Sequence, residues 1–281
     1  MNLLNIIEEI EKVDPEFNDR ISPRRAAIRN ITSFGTKVAV AALPFAFTTL
    51  FKKAYGQTAP VSVADVLNYA LKLEYLEAAF YNQGATSSLA FSSTEQAYVA
   101  TIRGHENAHV TFLKNALGNA AVAQSTQGVN GVYDFTAGGT FPTVFTSVDT
   151  FFAVAQALED TGVRAYKGQA ANLQKDANAL TAALNIHSVE ARHAAAVRQI
   201  RRMRGGAGAS TKPWITGAND TGITAVNGNY SGEDNVTQGP VTITSLDGVG
   251  AKISVSAATE SFDEPLTMAQ VVALVTPFGV K

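Results

Sequence analysis

One pattern of glutamate and histidine occurs twice in this chain. Glu74 is followed 32 residues later by Glu106-Asn107-Ala108-His109, and Glu159 is followed 31 residues later by Glu190-Ala191-Arg192-His193. A Glu-x-x-His step places both side chains on one side of an α-helix. Each lone glutamate also has a tyrosine seven residues on, Tyr81 after Glu74 and Tyr166 after Glu159, two helical turns away on the same face. Such near-duplicate spacing constrains the fold strongly: it asks for four helices that turn their polar residues toward one another.

The flanking residues agree. Leu67, Leu71 and Ala78 share a face with Glu74; Val99, Ile102 and Leu113 with Glu106 and His109; Phe152, Ala155 and Val163 with Glu159; Ile186, Val197 and Ile200 with Glu190 and His193. Carboxylates on apolar stripes are costly to bury unless a cation compensates them. Two divalent ions would cancel four carboxylates, and two imidazoles would complete the coordination. The expected metal ligands are therefore Glu74, Glu106, His109, Glu159, Glu190 and His193. Glu77 is the alternative to Glu74 on the first helix, or a bridging or solvated group; the tyrosine spacing favours Glu74. Tyr81 and Tyr166 are candidates for a redox or hydrogen-bonding role, or for core packing, since buried hydroxyls need partners.

His105-Glu106-Asn107-Ala108-His109 also matches the H-E-x-x-H signature of zinc proteases, with His105 and His109 as zinc ligands and Glu106 as general base. The second copy argues against it, because Val189 stands where His105 would recur. His105 and His187 are then expected at the surface or behind the ligands. Arg192 is expected in an exposed salt bridge, or else against a site carboxylate.

Helix signals give the connectivity. The first helix starts at Ser62 and runs to about Tyr81, before Asn82-Gln83-Gly84. The second starts at the capping box of Ser93 to Gln96 and stops at Gly118. Residues 119–147, which carry Gly131, Gly138, Gly139 and Pro142, read as a long connection. The third and fourth helices span about 148–173 and 176–204. Two helical hairpins joined by one long crossover make a four-helix bundle that holds a metal pair. After Gly205-Gly206-Ala207-Gly208, residues 241–255 alternate around Asp247-Gly248 as a β-hairpin, and Thr267-x-x-Gln270 opens a short helix that Pro277 ends.

The stretch Leu73-Glu74-Tyr75-Leu76-Glu77-Ala78-Ala79-Phe80-Tyr81, with Glu106-x-x-His109, Glu159 and Glu190-x-x-His193, resembles the ferritin-like superfamily. Within it the chain is similar to the ferritin-like domain family that includes plant and bacterial desiccation-related proteins. Ser261-Phe262-Asp263-Glu264-Pro265-Leu266-Thr267 is similar to a terminal motif of bacterial members that carry export signals. The resemblance covers residues 61–204 and, loosely, the tail. It implies a dinuclear iron or manganese site that reacts with dioxygen or peroxide. The wider group holds ferroxidases, peroxide-reducing rubrerythrins and manganese catalases, so the resemblance names no substrate and leaves the enzyme class open. It also leaves open a structural stress or envelope protein with little turnover. With no cysteine, the chain lacks the rubredoxin-type iron centre of typical rubrerythrins, and electrons must come from outside or from a substrate metal.

The expected fold class is all-α: a ferritin-like four-helix bundle with one long crossover over residues 57–204, and a C-terminal appendage, 205–281, with a β-hairpin and a short helix. Residues 1–56 read as a targeting segment. Ser22-Pro23-Arg24-Arg25 precedes a short apolar run (38–50) and Ala54-Tyr55-Gly56, which together resemble a twin-arginine export signal, retained or cleaved. The alternative is a membrane anchor, for which Lys37 and Pro44 are poorly placed. Periplasmic or other export is expected, with the export machinery as a partner; that route carries folded proteins, which suits a chain without disulfides. A net charge of −2 offers no general attraction to nucleic acid. Homo-oligomerisation is left open.

Overall fold

The computed structural model describes residues 61–218, 222 and 224–281, so the expected export segment lies outside the described residues. Among these residues no helix is long and apolar enough to cross a membrane.

Helix α1 (Val63–Thr86) begins with a reciprocal cap: the Ser62 hydroxyl accepts from Asp65 N at 3.1 Å, and the Asp65 carboxylate accepts from Ser62 N at 3.3 Å. It runs past the stop expected near Tyr81. Gly84 does not end the helix. A Cβ there would lie 2.3 Å from Phe151 Cε2, so the glycine instead admits the Phe151 ring against the helix. Helix α2 (Ser93–Leu117) is capped by Ser92 rather than Ser93. Glu95, three residues after Ser92, accepts from its backbone N at 2.7 Å and also pairs with Arg204 at 2.6 Å, which favours this register. Gly118, at φ +55°, ends it as expected.

The crossover carries short 3-10 helices, turns, bends and one isolated bridge, Val129 with Val132. Its start is held on α1 by Asn68, which bonds Ala120 O and Val122 N. Its middle is held by the chain end: Gly128 N donates to Gly279 O, and Asp134 N to Phe278 O. Helix α3 (Val148–Gln169) passes into a 3-10 turn (Ala170–Leu173), and helix α4 (Ala177–Arg204) follows with Asp176 as its cap. Helices α1 and α2 pack as one hairpin and α3 and α4 as the other. The core between them includes Phe80 stacked on Phe151, with centroids 4.6 Å apart, and Phe152 edge-on to Phe151.

Beyond α4 the described chain divides between two compact units. Residues 206–235 and 259–281 belong with the helices, and residues 236–258 form a separate cluster. In the latter, β1 (Thr237–Gln238) pairs antiparallel with β2 (Val241–Thr242) around Gly239-Pro240. The hairpin therefore lies upstream of the expected position. At Asp247-Gly248 only one bridge forms, Asp247 with Lys252, because residues Ile243–Ser245 coil into a 3-10 turn and break the extended run. A five-residue helix α5 (Val255–Thr259) follows. Helix α6 (Met268–Val275) has the expected reciprocal cap of Thr267 and Gln270.

Two fully buried arginines tie the tail to the second hairpin. Arg164 of α3 pairs with Glu233 at 2.7 Å and donates to the carbonyls of Glu264, Asn229 and Ser231. Arg198 of α4 pairs with Asp160 at 2.6 Å, and Asp160 also accepts from Tyr230 Oη at 2.6 Å. Gly168 completes the fit, since a Cβ there would sit 1.9 Å from Leu266 O. The motif at residues 261–267 is thus the stretch whose backbone lies along α3: Leu266 N donates to Arg164 O.

Candidate metal centre

All six expected ligands converge inside the bundle, and all are buried. They form two overlapping groups, Glu74, Glu106, His109 and Glu190, and Glu106, Glu159, Glu190 and His193, each with its donor atoms within 4.8 Å of one another. Glu106 and Glu190, the first residues of the two Glu-x-x-His steps, belong to both groups. Each group adds one lone glutamate and one histidine of its own. Such an arrangement suits two neighbouring cations that share two carboxylates.

The contacts are close and chemically incomplete. His109 Nδ1 lies 3.1 Å from Glu74 Oε2, 3.3 Å from Glu106 Oε2 and 3.0 Å from Glu190 Oε1, yet a ring nitrogen carries at most one proton. His193 Nδ1 lies 2.8 Å from Glu106 Oε1, 3.4 Å from Glu159 Oε2 and 3.5 Å from Glu190 Oε2. None of these His193 approaches is aligned as a hydrogen bond. Both oxygens of Glu106 and Glu190, Glu159 Oε2 and His193 Nδ1 are all buried without a hydrogen-bond partner. Orphaned donors of this kind carry a large desolvation cost. Oxygen and imidazole donors in this number fit a divalent metal ion.

The tyrosines are where the spacing put them, but they reach across the bundle. Tyr81 of α1 donates to Glu159 Oε1 on α3 at 2.5 Å, and Tyr166 of α3 donates to Glu74 Oε1 on α1 at 2.5 Å. Each hydroxyl thereby holds one oxygen of a lone glutamate and leaves Oε2 facing the histidine. Burial, then the neighbouring glutamate, pushes both phenols well above their ordinary pKa, so they remain protonated donors.

Electrostatics tell the same story as the contacts. Burial, followed by the other carboxylates, raises Glu77 well above the usual range. Burial and Glu190 raise Glu106, and burial raises Glu159 to about 7. Glu190 resists burial: His109 and His193 bring it down to about 2. Burial alone would lower the histidines, but the surrounding carboxylates outweigh it, taking His109 up to about 12 and His193 upward as well. The cluster therefore calls for positive charge, while the buried cations Arg164 and Arg198 pair with Glu233 and Asp160 elsewhere.

Glu77 is 3% exposed and belongs to neither ligand group. It faces Gly162, where a Cβ would lie 3.1 Å from its Oε1. Leu73, Leu76, Leu158, Thr161, Gly162 and Val275 line a cavity of about 10 Å³ with it, room for one water-sized molecule. A larger cavity of about 430 Å³, lined by Phe141, Asp149, Arg204 and the Gly206–Gly208 turn, touches none of these residues.

His105 also stands outside both groups, so the H-E-x-x-H pair is not assembled as a zinc site. Its Nδ1 lies instead 2.9 Å from His193 Nε2. His187 belongs to neither group; burial, then Lys167, lowers its pKa. Arg192 donates to Ser188 O one turn back at 3.0 Å and to Ser188 Oγ, rather than to a carboxylate. The Asp160–Arg198–Tyr230 network was not anticipated. An Asp next to Glu159 and an Arg on α4 were its only sequence traces.

Comparison with known proteins agrees with this geometry. The family described as "Ferritin-like domain" matches residues 62–202, half of the chain and all four helices. No curated protein and no solved structure matches the chain.

Proposed function

The chain belongs to the ferritin-like domain family, and from that premise we propose that it is an exported di-metal carboxylate protein that oxidises Fe²⁺ or reacts with dioxygen or peroxide in stress protection. Its proposed cofactor is a pair of Fe or Mn ions. Glu74, Glu106, His109 and Glu190 would hold one, and Glu106, Glu159, Glu190 and His193 the other. The observation that carries this reading is the sharing of Glu106 and Glu190 between two groups of orphaned, buried donors. Once bound, such ions supply the one-electron and oxygen chemistry that side chains lack.

The protein's own part is positioning and exclusion. Tyr81 and Tyr166 fix the lone glutamates so that each offers one oxygen to its group. His109, with 11% of its side chain exposed, marks the side of α2 as the approach. The twin-arginine-like segment supports export of the folded, metal-loaded chain.

Anaerobic loading with Fe²⁺ or Mn²⁺ should give about two ions per chain, as two ligand groups imply. Oxygen and peroxide consumption by that protein should exceed that of the Glu106→Ala, Glu190→Ala variant. Protein that takes up no metal would sink the reading. Equal rates in the two proteins would transfer the role to structure without turnover.

A further inference from the structure

The two halves of the centre correspond residue by residue. Glu74 matches Glu159, Tyr81 matches Tyr166, Glu106 matches Glu190 and His109 matches His193. One neighbouring position does not follow the rule. His105, just before Glu106, has Val189 as its counterpart before Glu190. The structure gives that difference a consequence. His105 Nδ1 meets His193 Nε2 at 2.9 Å, with the rings 17° from parallel and their centroids 5.2 Å apart, so the imidazoles meet edge to edge.

A 2.9 Å contact between two ring nitrogens holds one proton. His193 Nδ1 faces Glu106, Glu159 and Glu190 and can bind a cation only through its lone pair. The proton of neutral His193 must then sit on Nε2 and be donated to His105 Nδ1. His105 in turn carries its own proton on Nε2 and accepts at Nδ1. Val189, the residue that precedes Glu190 as His105 precedes Glu106, can neither donate nor accept.

We propose that His105 is a positioning residue that locks His193 as an Nδ1 metal ligand, so that the two metal positions are unequal and the one with Glu159 and His193 is the tighter. The inference rests on the di-metal reading above. A hydrogen bond to the far nitrogen of a ligating histidine fixes its tautomer and ring orientation, and loss of such a partner typically costs about 10–100-fold in metal affinity. His105 thus takes a part in the centre without touching a metal, and the H-E-x-x-H motif is an accident of that part.

The test is a calorimetric titration of the full chain with Mn²⁺ alone. The natural protein should bind two ions in separable steps. His105→Val, which copies the second half, should weaken the tighter step by about 10–100-fold and leave the other unchanged. His105→Gln, whose amide oxygen can accept the same proton, should recover much of the loss. In Co²⁺-loaded protein, the shifted N–H signal of His193 should exchange slowly with solvent in the natural chain and quickly in His105→Val. A His105→Val titration that overlays the natural one, or equal weakening of both steps without recovery in His105→Gln, would overturn the proposal while leaving the di-metal reading intact. Failure of the natural protein to bind any ion would remove both.

Discussion

Hairpin α1–α2 and hairpin α3–α4 present the same donors at the same spacing, but they are buried in different ways. On α2 only six of 25 residues are buried, a single stripe that carries Glu106 and His109. On α3, 18 of 22 are buried, because the tail covers the side that would otherwise face water. The first hairpin is an ordinary amphipathic pair with polar ligands set into its inner face. In the second, α3 is enclosed and must satisfy polar groups on its outer side too, which it does with its own Arg164 and Asp160 and with Arg198 of α4. Equal ligand chemistry has thus been built into unequal surroundings. The inequality reaches the centre at two positions, His105 against Val189 and Glu77 against Gly162.

The most damaging change for either hairpin should be loss of a shared ligand. Glu190→Ala should reduce bound metal from about two ions per chain to near none, whereas Glu74→Ala should leave about one; elemental analysis after desalting distinguishes them. Equal losses would mean that the two groups do not act as separate positions.

Removing the metal should expose the charge problem as a pH dependence. Glu77, Glu106 and Glu159 have folded pKa values above the ordinary 4.5, about 7 for Glu159, so the metal-free fold binds more protons than the unfolded chain. Stability should fall as pH rises through that window. Raised His109 and His193 act in the same sense above 6.5, their contribution being lost toward a folded value of about 12 for His109. Glu190, lowered to about 2, adds stability that is lost only as pH falls below 4.5. Thermal melts of the metal-free protein should therefore peak at about pH 4.5, while bound metal should reverse the trend, because its ligands must be deprotonated. A flat metal-free curve would contradict the buried, unbalanced cluster.

The outer side of the second hairpin gives a sharper contrast. Asp160→Ala would leave Arg198 buried without its carboxylate and should cost about 3–5 kcal/mol in denaturant unfolding. Tyr75 occupies the matching place in the first hairpin and donates to Val122 O at 3.2 Å; Tyr75→Phe should cost only about 1 kcal/mol. At the inner face the two hairpins should agree. Tyr81→Phe and Tyr166→Phe each remove one hydrogen bond to a carboxylate, about 1.5–3 kcal/mol, and the two losses should match closely. A marked difference between them would show that the enclosure of α3 extends to the centre.

Much of this was legible in the sequence because helical periodicity is local. The spacing of Glu74, Glu106, His109, Glu159, Glu190 and His193 needs only 3.6 residues per turn to place each on an inner face. Helix starts and stops were legible for the same reason, with errors of a residue or a turn. Ser92 displaced Ser93 because Glu95 has a second partner in Arg204, more than a hundred residues away. Gly84 stayed helical because a phenylalanine from another helix fills its open side. The hairpin shift was a local failure, where a 3-10 turn at Ile243–Ser245 competed with a short alternation.

By itself, then, the sequence determined which residues face the bundle core and that their charges need cations, since both follow from local geometry and the cost of burying carboxylates. Only the tertiary structure decided who meets whom across helices. It shared Glu106 and Glu190 between two groups, crossed Tyr81 to Glu159 and Tyr166 to Glu74, and set His105 against His193. Those pairings depend on how helices distant in sequence pack together, and no spacing along one helix encodes them.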